Sequence, residues 1–184
     1  MLGHISRKYE SGNFGPGAIS NIPGDPGGKS YGVYQFSLNK GILGKFVEHT
    51  TFIQLKTCEL GSVKFDEVWR SCVKQDKFVE EQEEFAIDLY FKPIRALADK
   101  YNIQDVEPIN EALFSIAIQH GGYSKIVINA VQQSCVHNVV QFLGTLYKVR
   151  TEYVQNLKLP EQIKRNITKR YVNELQDVLN LVRN

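Results

Sequence analysis

The sequence predicts a mainly α domain with a small β element, and three observations predict it. Ten of the 14 glycines fall in the first 44 residues, and three of the six prolines lie between Pro16 and Pro26. Gly and Pro at that density cannot sustain a helix, so the segment from Ser11 to Gly32 is loop, turn and short strand. After Leu38 the apolar residues recur at three- and four-residue spacing, the period of an amphipathic helix. Finally, Ala112 to Ile118 (ALFSIAI) is apolar around the whole helix, as expected of a central helix buried on every side. A chain of 184 residues suits one domain over 1–184.

The elements follow in order. Leu2, Ile5 and Tyr9 form an amphipathic first helix over 2–10, which Ser11-Gly12 must stop. Helices are expected at 40–48, 65–74, 77–101, 108–120, 124–134, 137–157 and 160–182. Phe85, Leu89, Ile94 and Leu97 carry the long one, which Pro93 kinks. Ile163, Ile167, Tyr171, Leu175 and Leu179 carry the last. Pro108 and Pro160 stand where a first-turn proline is tolerated.

Composition excludes several classes. A net charge of +2 is too small to imply nucleic acid. Cys58, Cys72 and Cys135 are widely spaced and odd in number, which argues against a disulfide framework and a zinc knuckle. His4, His49 and His137 are scattered and form no metal-ligand set. Residues 126–147 carry no formal charge, yet Asn129, Gln132, Gln133, Asn138 and Gln141 would be costly in lipid, so membrane insertion is not expected. The opening MLGHISRKYE has no apolar core of signal-peptide length; the expectation is synthesis in the cytoplasm and action elsewhere. Seven basic and two acidic residues between Lys148 and Arg170 read as a solvated helix face. The oligomeric state is not legible.

Two acids alone occupy the first 47 positions, Glu10 and Asp25. Glu10 at a helix C-terminus, beside Tyr9 and Phe14, is expected to have a raised pKa, which suits a general acid. Asp25, in the pinned turn Pro23-Gly24-Asp25-Pro26-Gly27-Gly28, is expected to stay solvated and ionised. A protonated acid facing an ionised base is the layout of a glycoside hydrolase. The bland alternative is a solvated helix-end Glu and a turn-forming Asp. A phosphate cradle is excluded because GxxxxGK[ST] fails at its first glycine.

The run Tyr9-Glu10-Ser11-Gly12, followed by Gly24-Asp25-Pro26-Gly27-Gly28-Lys29-Ser30-Tyr31-Gly32-Val33-Tyr34-Gln35-Phe36, resembles the active-site segment of the lysozyme-like superfamily. It is similar to goose-type lysozymes, lytic transglycosylases and chitosanases, and above all to lysozyme-like domains of phage endolysins and cell-wall hydrolases. The resemblance implies a lysozyme-like fold, with the Gly-rich loop and β element forming the substrate cleft. It implies cleavage of the peptidoglycan glycan strand by an N-acetylmuramidase, with neither metal nor organic cofactor. Glu10 then matches the general acid, Asp25 the carboxylate that activates water, and Ser30 a hydroxyl that helps hold that water. Gln35 matches the glutamine at the cleft floor. Tyr31 and Tyr34 either line sugar subsites or belong to the core, and His120 either borders the cleft or is a hydrogen-bonded core residue. Ser37 stands where goose-type lysozymes carry a second Asp. Gln119-His120-Gly121 replaces the Tyr-Asn-Ala-Gly signature of transglycosylases, which leaves transglycosylation as the alternative and chitosanase-like hydrolysis after it. A catalytically inactive wall-binding or phage-tail module is the alternative outside enzymes.

Overall fold

A computed structural model describes residues 2–10 and 15–183, Glu10 by its backbone alone. The chain packs as two compact units: Met1–Tyr9 with Leu89–Asn184, and Glu10–Asp88.

The Glu10–Asp88 unit carries the Gly-rich loop. Strands β1 (Ile19–Ser20), β2 (Ser30–Tyr31) and β3 (Phe36–Ser37) form an antiparallel sheet in the order β1-β2-β3. Ser30 pairs with Ser20 on one side and Ser37 on the other, and Tyr31 pairs with Ile19 and Phe36. Strands of two residues cannot stand alone and need a packed face. Helices α2 (Ile42–His49), α3 (Ile53–Lys56), α4 (Val63–Cys72) and α5 (Asp76–Ala86) supply it. The face is aromatic: Tyr31 meets Phe65 and Trp69 edge-on at 5.3 and 5.2 Å, and Phe36 stacks on Phe46 at 5.0 Å. The Trp69 indole N–H donates to Pro16 O at 3.2 Å, so this core ring has its polar partner and ties down the start of the loop.

The other unit is helical. It holds α1 (His4–Glu10) up to Tyr9, then α6 (Lys92–Asp99), α7 (Glu107–His120), α8 (Lys125–Gln133), α9 (Val139–Gln155) and α10 (Glu161–Arg183). Every residue from Glu111 to Ala117 is buried, as an all-round apolar helix requires. Helix α9 lies against α8 and α10, and α10 against α7. Ser124 and Asn138 cap α8 and α9 with side-chain oxygens.

Two features depart from the expected pattern. The helix over 77–101 is interrupted by a π-helical stretch, Ile87–Phe91, just before Pro93 in the first turn of α6. The proline ring excludes the carbonyl four residues back, and widening the turn accommodates it. Helix α3 is a single turn, too short to show a period. The uncharged stretch over 126–147 is two helices, α8 and α9, and among the described residues no helix is long and apolar enough to cross a membrane.

Candidate active site

Glu10 ends α1. Its side chain and residues 11–14, Phe14 among them, lie outside the described residues, and so does its expected raised pKa. The neighbouring Tyr9 donates its hydroxyl to Asp177 Oδ2 at 2.7 Å, and Lys8 Nζ donates to the same oxygen at 2.7 Å. Burial, then the Asp177 carboxylate, pushes the Tyr9 hydroxyl up; burial works to raise Asp177, but the bonds from Lys8 and Tyr9 prevail and lower it.

Asp25 sits exposed on a built turn. Its Oδ1 accepts the Gly27 N–H at 2.7 Å and its carbonyl the Gly28 N–H at 2.9 Å. The turn is then held from below: Ser37 Oγ donates to Gly27 O at 2.7 Å and the Asn39 N–H to the same oxygen at 3.0 Å. Gly28 has φ +65, which favours glycine, and a Cβ there would stand 2.7 Å from the exposed Asn39 side-chain amide and displace it. Downstream, Asp66 of α4 receives Lys29 Nζ at 2.8 Å and the Tyr31 hydroxyl at 2.6 Å, pinning the start of β2. Burial, and then the bond to Asp66, raises the Tyr31 hydroxyl.

The remaining predicted site residues are buried or half-buried. Ser30 is buried in the centre of the sheet, and Tyr31 and Tyr34 are 0% and 3% exposed. Neither tyrosine ring has a face open to a sugar; both take the core alternative, Tyr31 in β2 against Phe65 and Trp69, and Tyr34 in the turn between β2 and β3 stacked on Phe36 at 6.2 Å. Gln35 is half-buried with φ +52, an unusual conformation for a non-glycine residue. Its amide is used internally, donating to Gly32 O at 2.9 Å and accepting the Ser20 hydroxyl at 2.7 Å. Asp25, Ser30, Tyr31, Tyr34 and Gln35 thus share one unit, and His120 belongs to the other.

His120 ends α7, half-buried, at the edge of a polar network. The Tyr171 hydroxyl donates to Gln119 Oε1 at 2.6 Å, which leaves it to accept from His120 Nε2–H at 3.0 Å and assigns the tautomer. Burial, then Arg150 and Arg170, holds the His120 pKa down at about 4. Arg150 donates to Ser115, Gln119 and Glu174, and its guanidinium lies 4.2 Å from the Tyr171 ring centre. Burial works to raise the Glu174 carboxyl, but Arg150 and Arg170 outweigh it and the net shift is downward. His120 is therefore a hydrogen-bonded structural histidine in this arrangement.

Sequence reasoning missed Arg150, Glu174 and Glu111. The one signal was a charge on an otherwise apolar helical face, as at Glu174 between Tyr171 and Val178. Among the described residues no group of three or more His, Cys, Asp or Glu side chains is placed to hold a metal ion.

Comparison with known proteins identifies the chain's relatives. A family described as type VI secretion system spike protein VgrG3-like, C-terminal, matches residues 2–175. The type VI secretion system spike protein VgrG3 of Vibrio cholerae serotype O1 is 31% identical over 137 residues, 71% of this chain and 13% of that protein. The chain therefore spans about an eighth of that relative's length. Among solved structures, a chitosanase from Bacillus subtilis superposes with a TM-score of 0.67 at 15% identity, covering 100% of this chain and 90% of the other. A GH46 chitosanase from Gynuella sunshinyii in complex with chitotetraose gives a TM-score of 0.64 at 16% identity, covering 92% and 81%. The fold is the lysozyme-like one of these chitosanases. The expected kinship with phage endolysins gives way to another: the chain belongs to the VgrG3-like C-terminal family of type VI secretion system spike proteins.

Proposed function

We propose that this chain is a glycoside hydrolase of the N-acetylmuramidase kind, cleaving the glycan strand of peptidoglycan with inversion. The observation that carries the reading is Asp25, exposed on a turn locked by Ser37 and Asn39, in a chain whose helix α1 ends in Glu10 and whose fold is that of chitosanases. In this reading Glu10 protonates the glycosidic oxygen as it leaves, and Asp25 takes a proton from the water that attacks the opposite face. A base on a loop suits a wide carboxylate separation, roughly 6.5–9.5 Å, which leaves room for that water and inverts the anomeric centre. The rigid turn supports this role because a base must be in place before the transition state forms.

Membership in a family of spike-protein C-termini supports a domain that reaches the wall as part of a secretion spike. Chitosanase-like hydrolysis is the second reading, favoured by the chitosanases among the structural neighbours. Mass spectrometry of digests of purified peptidoglycan and of chitosan tests both. Muropeptides with a hydrated N-acetylmuramic acid reducing end support the proposal. Release of glucosamine oligomers from chitosan, with peptidoglycan untouched, would overturn it in favour of the second reading.

A further inference from the structure

Helix α1 has seven residues, too few to hold a helix by themselves in water. It is anchored at both ends to the helical unit. At its start the Glu111 carboxylate of α7, wholly buried, accepts the Gly3 N–H on Oε1 at 2.6 Å and the Ile5 N–H on Oε2 at 3.1 Å. His4 Nδ1 lies 3.1 Å from Oε1. At its other end Asp177 of α10 accepts both Lys8 and Tyr9 on one oxygen, immediately before Glu10. Both oxygens of Glu111 are engaged by backbone amides two residues apart at the start of α1, which fixes the rotation and the height of the helix together. A cap with a single contact fixes only one of these.

We infer that Glu111 and Asp177 are positioning residues for the proposed general acid, acting through α1 on Glu10. Neither is expected to touch the glycan. Proton donation to a leaving oxygen depends steeply on placement, and a shift of about 1 Å at a catalytic group costs up to about a hundredfold in rate. The inference rests on the reading of Glu10 as the acid, and it adds two residues that the loop motif does not contain.

The test compares two substrates. One is the natural glycan, whose leaving oxygen must be protonated. The other is a dinitrophenyl β-glycoside of a short N-acetylglucosamine oligomer, whose leaving group departs without a proton. Glu10→Gln is expected to lose turnover on the glycan and to retain it on the dinitrophenyl substrate. Glu111→Gln and Asp177→Asn are expected to show the same signature at smaller amplitude: kcat on the glycan lower by about tenfold to a hundredfold, with KM within about twofold. Dinitrophenyl release should stay within about threefold of the wild type, because general acid catalysis contributes nothing there. Equal losses on the two substrates, or none on the glycan, would overturn the inference while Glu10→Gln still upholds the acid. A Glu10→Gln protein that cleaves the glycan normally would overturn the function, and the inference with it. If Glu111→Gln does not fold, Asp177→Asn decides alone by the same two results, since the Asp177 side chain is partly exposed.

Discussion

Arg150 Nη1 and Glu174 Oε1 meet at 3.0 Å with both side chains wholly buried. Around them Tyr147 donates to Glu174 at 3.2 Å, and Arg170 Nε to its other oxygen at 3.3 Å. Glu174 is well supplied with hydrogen bonds, whereas Arg150 Nε is buried with no partner among the described residues, and each member depends on the other to offset its own desolvation. Removing one leaves an uncompensated buried charge. Arg150→Met or Glu174→Leu alone should cost about 3–5 kcal/mol. The double variant Arg150→Met with Glu174→Leu should cost less than the sum, because no charge is then stranded. Urea unfolding of the three proteins checks this, and strict additivity would contradict it.

His120 makes stability depend on pH. Its pKa is about 4 in the folded chain against an ordinary value of 6.5. Between those values the unfolded chain binds more protons than the folded one, so stability falls as pH falls from 6.5 to 4 and levels off below. The loss from this group is at most about 3 kcal/mol. Replacing His120 by Asn should flatten that part of the profile while the carboxylates' contribution remains. Denaturant midpoints measured from pH 7 to pH 4 in both proteins give the comparison, and parallel profiles would remove His120 as the cause.

The turn at Gly28 is predicted to be less tolerant than the turn at Gly24. Both have positive φ, +65 and +82, but a Cβ at Gly28 meets the Asn39 amide whereas nothing lies within 4 Å at Gly24. A left-handed alanine costs about 1–2 kcal/mol at either site. The additional displacement of the Asn39 side-chain amide breaks its bond to Pro26 O, beside Asp25. Gly28→Ala should therefore lower glycan turnover well beyond Gly24→Ala at similar melting temperatures. Equal activities would show that the turn need not be rigid.

Asp25→Asn separates hydrolysis from transglycosylation. A hydrolase needs a group to hold and deprotonate water, so the variant should lose most activity, on the order of 10²–10⁴-fold. A transglycosylase uses a hydroxyl of the sugar itself, so the same change would matter little and the products would be anhydro-sugars. Product masses from wild type and variant on one peptidoglycan preparation check the prediction. Anhydro products from the wild type would leave Asp25 as a turn residue.

Much of the fold was legible because helical period and glycine content are local properties. The ALFSIAI run announced α7 as the central helix, and the density of Gly and Pro announced the loop that carries Asp25. Less of the site was legible. Ser37 stood out only as a missing second Asp, whereas in the folded chain its hydroxyl holds the Gly27 carbonyl beneath the Asp25 turn. Arg150 was read as part of a solvated basic face, and it is wholly buried. That reading failed because charge counted along a helix does not reveal which side of it is covered.

The sequence by itself determined roughly where the longer helices lie, which helix is central, and which turn presents an acid to solvent. Each of these follows from interactions among residues a few positions apart. Tertiary structure decided that Tyr31 and Tyr34 belong to an aromatic core, that Glu111 anchors a helix lying more than a hundred residues earlier, and that Arg150 and Glu174 share one buried pair. These are partnerships between elements distant in the chain. A polar side chain is buried only where its partner is buried with it, and only the packing of whole helices brings the two together.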